Sequence, residues 1–169
     1  NRFSHQSKIT PDALWIESCE TKLPNKSDYV FDIIYGGIVF NQSCANILKQ
    51  HRLGENILTP IQIYDLSTGE LVSDEVFYFL NLYERRTYIC IPQSDSMFVY
   101  IQGAQKYSTR GVPINNGILE VDKSVLDCDV DLWYDPRILG HFFMSESLYQ
   151  SLNQAGMIDK FYPHTCNLI

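Results

Sequence analysis

The chain lacks the spacings that usually name a chemistry. No CxxC pair occurs among its 169 residues, so neither a zinc knuckle nor a thioredoxin-type site is suggested. No HxxxH or HExxH sets two imidazoles on one helix face. GxSxG, the P-loop and the dinucleotide-binding glycine run are also missing, and Gly36-Gly37 stands outside any phosphate-binding context. No apolar run reaches about 18 residues, so no membrane span is expected. Positive charge is scarce: 13 Lys and Arg against 20 Asp and Glu leave a net charge of −7. A phosphate backbone would be repelled, which argues against nucleic acid. A basic protein partner would be attracted, and the same charge would speed association.

Cysteine is scattered as Cys19, Cys44, Cys90, Cys128 and Cys166, an odd number with no paired spacing. A reducing cytoplasm is the simplest location. The chain opens on Asn1 rather than Met; a leader removed upstream would point to the periplasm, where at least one thiol stays unpaired.

What is present suits one α+β domain over residues 1–169. A chain of this length buries about 70% of its unfolded surface, and 45% hydrophobic residues fill a core without staples. Residues 1–28, broken by Pro11 and Pro24, read as an irregular lead-in with one short helix or strand near residues 13–16. Residues 29–40 read as one strand or two, interrupted at Gly36-Gly37. Asn41 caps a helix expected to end at Gly54. Strands follow at 57–64 and 76–83 around a Ser67-Thr68-Gly69 turn, then at 88–91, 97–101 and 118–121. Residues 102–117 read as a surface loop or ragged edge, with Lys106, Tyr107 and Arg110 in a solvated loop. The sheet is expected to be mainly antiparallel, with a few short helices.

Residues 130–163 are the most ordered stretch: strand, Asp-Pro turn, aromatic strand, capped helix, final extended segment. Ser145 is a good N-cap and Glu146 sets a carboxylate at the positive helix end. Leu148, Leu152 and Ala155 recur at helical spacing, and Gly156 suits the left-handed stop. This unit echoes the earlier one, where residues 39–41 open a capped helix; the pair reads either as a duplicated strand–helix–strand element or as two ordinary capped helices.

Asp127, Asp129 and Asp131 alternate, which on a strand puts three carboxylates on one face. A calcium loop needs Gly at its sixth position and Glu at its twelfth, and counting from Asp127 gives Leu132 and Ile138. An acidic face meeting a basic partner is the better account, with no metal or other cofactor. His164 beside Cys166 lacks an orienting acid, so no thiol dyad is expected. Alternation along residues 130–134 puts Asp131 and Trp133 on a face opposite Val130, Leu132 and Tyr134. Trp is also commonly a core residue. A Trp sharing a face with an aspartate is more naturally partly exposed, which favours the interface-anchor reading over the core one.

The order Asp131-Leu132-Trp133-Tyr134-Asp135-Pro136-Arg137, then Phe142-Phe143-Met144-Ser145, then Leu148, Leu152, Ala155 and Gly156 resembles the C-terminal signature of a bacterial immunity-protein family, the "immunity eleven" group. Phe77-Tyr78-Phe79-Leu80-Asn81-Leu82 resembles that family's aromatic strand ending in Leu-Asn-apolar. The usual Gly-rich exit after the helix is replaced by Met157-Ile158-Asp159-Lys160. The resemblance implies a non-enzymatic protein that binds and occludes a cognate toxin. The expected contact set is Asp127, Asp129, Asp131, Trp133, Tyr134, Asp135 and Arg137. The rival readings are a small hydrolase reversing a toxin-installed modification, through Asp127, Asp129, Asp131 and His141, and a secretion-system adaptor.

Overall fold

The computed structural model describes residues 12–16, 30–33, 37–91, 98–109 and 115–169. Five strands form the main sheet: β1 (Ala13–Ile16), β2 (Val30–Ile33), β3 (Gly37–Asn41), β4 (Ile57–Asp65) and β5 (Phe77–Asn81). Their order is β1-β4-β5-β3-β2; β1 joins β4 in parallel and the other pairings are antiparallel. The fold is α+β, with two α-helices and mainly antiparallel strands among the described residues. Among the described residues no helix is long and apolar enough to cross a membrane.

Every residue of β3 is buried, because the sheet is covered on both faces. Val39 faces one way with Ile61, Ile63 and Phe77. Ile38 and Phe40 face the other, toward α1 (Gln42–Leu48) and α2 (Glu146–Gln154). Asn41 accepts the Cys44 N–H at 2.9 Å and Ser145 accepts the Leu148 N–H at 3.2 Å, so both expected N-caps form. Helix α1 stops earlier than expected, at Leu48, and Gly54 instead makes a turn at φ +60°. Gly156, at φ +68°, follows α2 in the left-handed conformation. Cys44, Leu48, Leu148 and Leu152 meet in one cluster, so the two capped helices pack on each other. Each buried Leu there stabilises the fold by about 1.5–3 kcal/mol. Burial pushes the Cys44 thiol up to about 12, so it acts as a small hydrophobe.

A second cluster, built on Ile89, Phe98, Leu119, Val121 and Ile138, lies outside the main sheet. It gathers three short pairings. β6 (Val99–Ile101) pairs with β7 (Lys106–Ser108), β8 (Glu120–Val121) with β11 (Asn167–Leu168), and β9 (Leu132–Trp133) with β10 (Phe143–Met144). Here the structure departs from the sequence reading. Lys106 and Tyr107 belong to a strand rather than a loop, and Tyr107 packs edge-on against Phe98 and Tyr100. Arg110 and most of the lead-in lie outside the described residues. Residues 88–91 make only an isolated bridge, Ile89 with Val121. After α2 the chain turns through a 3-10 helix, Asp159–Phe161, before Tyr162 enters the left-handed region at φ 47°.

Candidate functional site

Residues 131–135 are buried, and the chain then runs to Ser145 at intermediate exposure except for buried Ile138 and exposed Gly140. Asp131 donates its N–H to the Arg52 carbonyl at 2.8 Å, and its own carbonyl accepts the Ser145 N–H at 3.0 Å. Its carboxylate takes the Arg52 backbone N–H at 2.8 Å and the Arg52 guanidinium at 3.3 and 3.0 Å. One aspartate therefore ties the turn after α1 to β9 and to the cap of α2. Burial pushes the Asp131 carboxyl up; hydrogen bonds from the Arg52 side chain, the Arg52 backbone and Ser145 outweigh it and hold the group down at about 2.

Tyr134 is fixed the same way. Its N–H meets the Glu84 carbonyl at 3.0 Å and its carbonyl accepts the Arg86 N–H at 3.1 Å. Asn56 supports this crossing from beneath: Nδ2 donates to the Leu132 carbonyl, and Oδ1 accepts the N–H groups of Tyr83 and Glu84. The Glu84 carboxylate accepts from the Glu55 N–H and the Arg86 guanidinium. Gly54 lets the chain pass, since a Cβ there would meet Glu84 Oε1 and approach Val130 Cγ1 to 2.8 Å.

The expected contact set divides in two. Asp131, Trp133, Tyr134 and Asp135 are buried, with Asp131 3% and Trp133 6% exposed. The expectation of a partly exposed Trp133 is thus corrected. Trp133 stacks on Phe143 at 6.1 Å and meets Tyr88 edge-on at 6.2 Å. The alternation argument fails because β9 has only two residues in regular pairing and is covered on both faces. Asp127 and Asp129 are exposed and Arg137 is half-buried. The aspartates do not line one strand face: Asp127 ends a 3-10 turn (Lys123–Asp127), Asp129 binds Arg86 at 2.7 Å, and Asp131 points inward to Arg52. Nor does His141 join them, since its Nε2 lies 2.9 Å from Thr109 Oγ1. Cys166 packs against the second cluster while His164 is exposed.

The sequence reading missed a row formed by Ser151, His51 and Asp131. Ser151 Oγ lies 3.0 Å from His51 Nε2, and His51 Nδ1 lies 3.7 Å from Asp131 Oδ2. The order is that of a nucleophile, base and acid. Asp131 is however already held by Arg52, and Ser151 lies inside α2, where neighbouring N–H groups serve the helix. The row also clamps the turn after α1 to α2. No local spacing signals it, because His51 and Ser151 are a hundred residues apart.

Beside this clamp lies an open groove of about 1250 Å³, walled in part by Trp133, Phe143 and Tyr162. Its charged lining carries both signs, in Arg52 and Lys160 and in Asp131 and Glu146. Comparison with protein-family models, with curated proteins and with solved structures finds no match to this chain.

Proposed function

We propose that the chain is an immunity-type protein that binds a cognate bacterial toxin and blocks it by occlusion, without turning over a substrate. The observation supporting this best is the role of the residues that carry the family resemblance. Asp131, Trp133 and Asp135 are buried and Ser145 caps a helix, so these side chains build a frame rather than a reaction centre. A frame held from within leaves the outer loops to make contacts, as expected of a scaffold paired with different partners. Of the expected contact set, Asp127, Asp129 and Arg137 stay open to such a partner. A cytoplasmic location fits the free thiols of Cys44, Cys90, Cys128 and Cys166. Toxin–immunity pairs include complexes with dissociation constants of about 10⁻¹³ M or lower.

Co-expression with the product of the adjacent open reading frame tests the reading. The neighbour alone should be lethal, and the pair should be harmless and co-purify near one to one. A harmless neighbour, or one that still kills beside this protein, would sink it. The second reading, a hydrolase undoing the toxin's modification, is favoured by the Ser151, His51 and Asp131 row. Stoichiometry separates the two: a hydrolase protects at a small fraction of the toxin concentration and Ser151→Ala abolishes protection, whereas an occluding protein titrates.

A further inference from the structure

At one end of the main sheet, large apolar side chains remain uncovered. Trp15 is 55% and Leu66 54% exposed, and Leu71 and Val76 are exposed beside them. Their placement follows from the pairing. Trp15 sits opposite Tyr64 on β4, and Tyr64 bridges to Leu71, so the three stand in a row on one face of the sheet. The Trp15 and Tyr64 rings stack at 4.8 Å, presenting the outer face of an aromatic pair. The β4–β5 register shifts between the Ile61–Phe77 and Tyr64–Leu71 pairs, so residues 73–76 bulge outward. Ser73 Oγ accepts the Glu75 N–H within that bulge. Glu75 and Val76 then border a dent of about 330 Å³ against Asn41, Gln42 and Ser43.

Charge says what would cover this surface. Residues 53–84 hold six carboxylates and no Lys, Arg or His, in a chain whose net charge is −7. Glu84 is consumed internally by Arg86, but Glu70 and Asp74 are exposed around the apolar row and Glu75 is half-buried at the dent. The groove beside the frame, by contrast, carries both signs. Lys49 lies over the Tyr78 ring at 3.8 Å, and the Tyr78 hydroxyl donates to Gln42 at the far wall of the dent.

We propose that the hairpin end formed by Trp15, Tyr64, Leu66, Leu71 and residues 73–76 is a docking surface for a basic protein. Arginine or lysine residues of the partner pair with the exposed carboxylates of Glu70 and Asp74, and one guanidinium stacks on Trp15. The apolar row supplies a desolvated centre and the carboxylates supply the rim. Arginine stacked on an indole and paired with a carboxylate satisfies both halves of its chemistry. That this partner is the toxin rests on the function proposed above; the surface itself does not.

The test titrates the isotope-labelled chain with a short arginine-rich peptide. Amide shifts should cluster at residues 64–76 and at the Trp15 indole, and weaken with salt. Asp74→Asn with Glu75→Gln should lower peptide affinity about fivefold or more, with unchanged melting temperature. Shifts centred on Asp127 and Asp129 or in the groove would overturn the assignment, as would shifts spread evenly over the surface. Self-association through residues 64–76 as concentration rises would overturn it in favour of a second copy. Once a toxin is in hand, Asp74→Lys with Glu75→Lys should weaken its binding about tenfold or more. If the toxin is neutralised and these changes do nothing, the surface is wrong and the function stands. If the peptide maps to the hairpin end and the neighbouring gene product is not neutralised, the function is wrong and the surface stands.

Discussion

Arg137 donates Nη2 to Asp135 Oδ2 at 2.6 Å and to the Ile89 carbonyl at 2.7 Å, while Asp135 Oδ2 accepts the Ile89 N–H at 3.4 Å. Tyr88 and Cys90 turn their backbone groups toward β8, with Cys90 N–H on the Glu120 carbonyl and Asp122 N–H on that of Tyr88. Ile89 therefore faces the other way, where a further strand would lie. The Asp135 and Arg137 side chains take that strand's place and close the edge. In the sequence the two look like surface charges flanking Pro136; in the fold they finish a sheet.

Replacing Asp135 by Ala is expected to destabilise the fold by about 3 kcal/mol, because it removes charge-assisted bonds from a residue only 1% exposed. Asp135→Asn should lose less, since its carbonyl still accepts one N–H. Urea unfolding of the two variants gives the order. Equal losses would mean that the carboxylate charge contributes nothing there.

Trp133→Ala should cost about 3–5 kcal/mol and depress the melting temperature sharply. The side chain fills the space between Tyr88 and Phe143 and leaves a cavity when truncated. Calorimetry on the variant decides the point. A near-native melting temperature would return Trp133 to the surface.

Gly54→Ala is expected to destabilise by about 2–4 kcal/mol, from left-handed backbone strain together with displacement of Glu84. The Glu84 carboxylate cannot retreat cheaply, as it holds both the Glu55 N–H and Arg86. Gly69→Ala, at a similar φ of +72° with nothing close to its added Cβ, is the control for strain alone. A loss at Gly54 no larger than at Gly69 would remove Glu84 from the account.

The Asp131 carboxyl sits at about 2 in the fold, below the ordinary aspartate value of about 3.9. A depressed folded-state pKa contributes stability that is complete above about pH 4 and is lost as pH falls through about 2. Denaturant midpoints should therefore decline across that window, and Asp131→Asn should flatten this part of the profile while lowering stability at pH 7. An identical acid limb in the variant would show that other carboxylates set it.

The sequence by itself determined the local elements. Asn41 and Ser145 name helix starts because a side-chain oxygen beside a free N–H acts within three residues, and Gly156 names a stop through its own φ. Strands β4 and β5 and the turn between them were equally legible from apolar runs and turn residues. Which face each residue shows was decided only by the tertiary structure. Leu132 and Trp133 look like an alternating strand, yet both are buried, because β10 pairs alongside and packed elements cover each side. Asp131 looks like one acid of a surface row until Arg52, 79 positions away, turns it inward. His51 meets Ser151 only because α1 and α2 are stacked by Cys44, Leu48, Leu148 and Leu152. Short-range capping and turn chemistry is written in neighbouring residues; burial and charge pairing depend on which distant segments the core brings together.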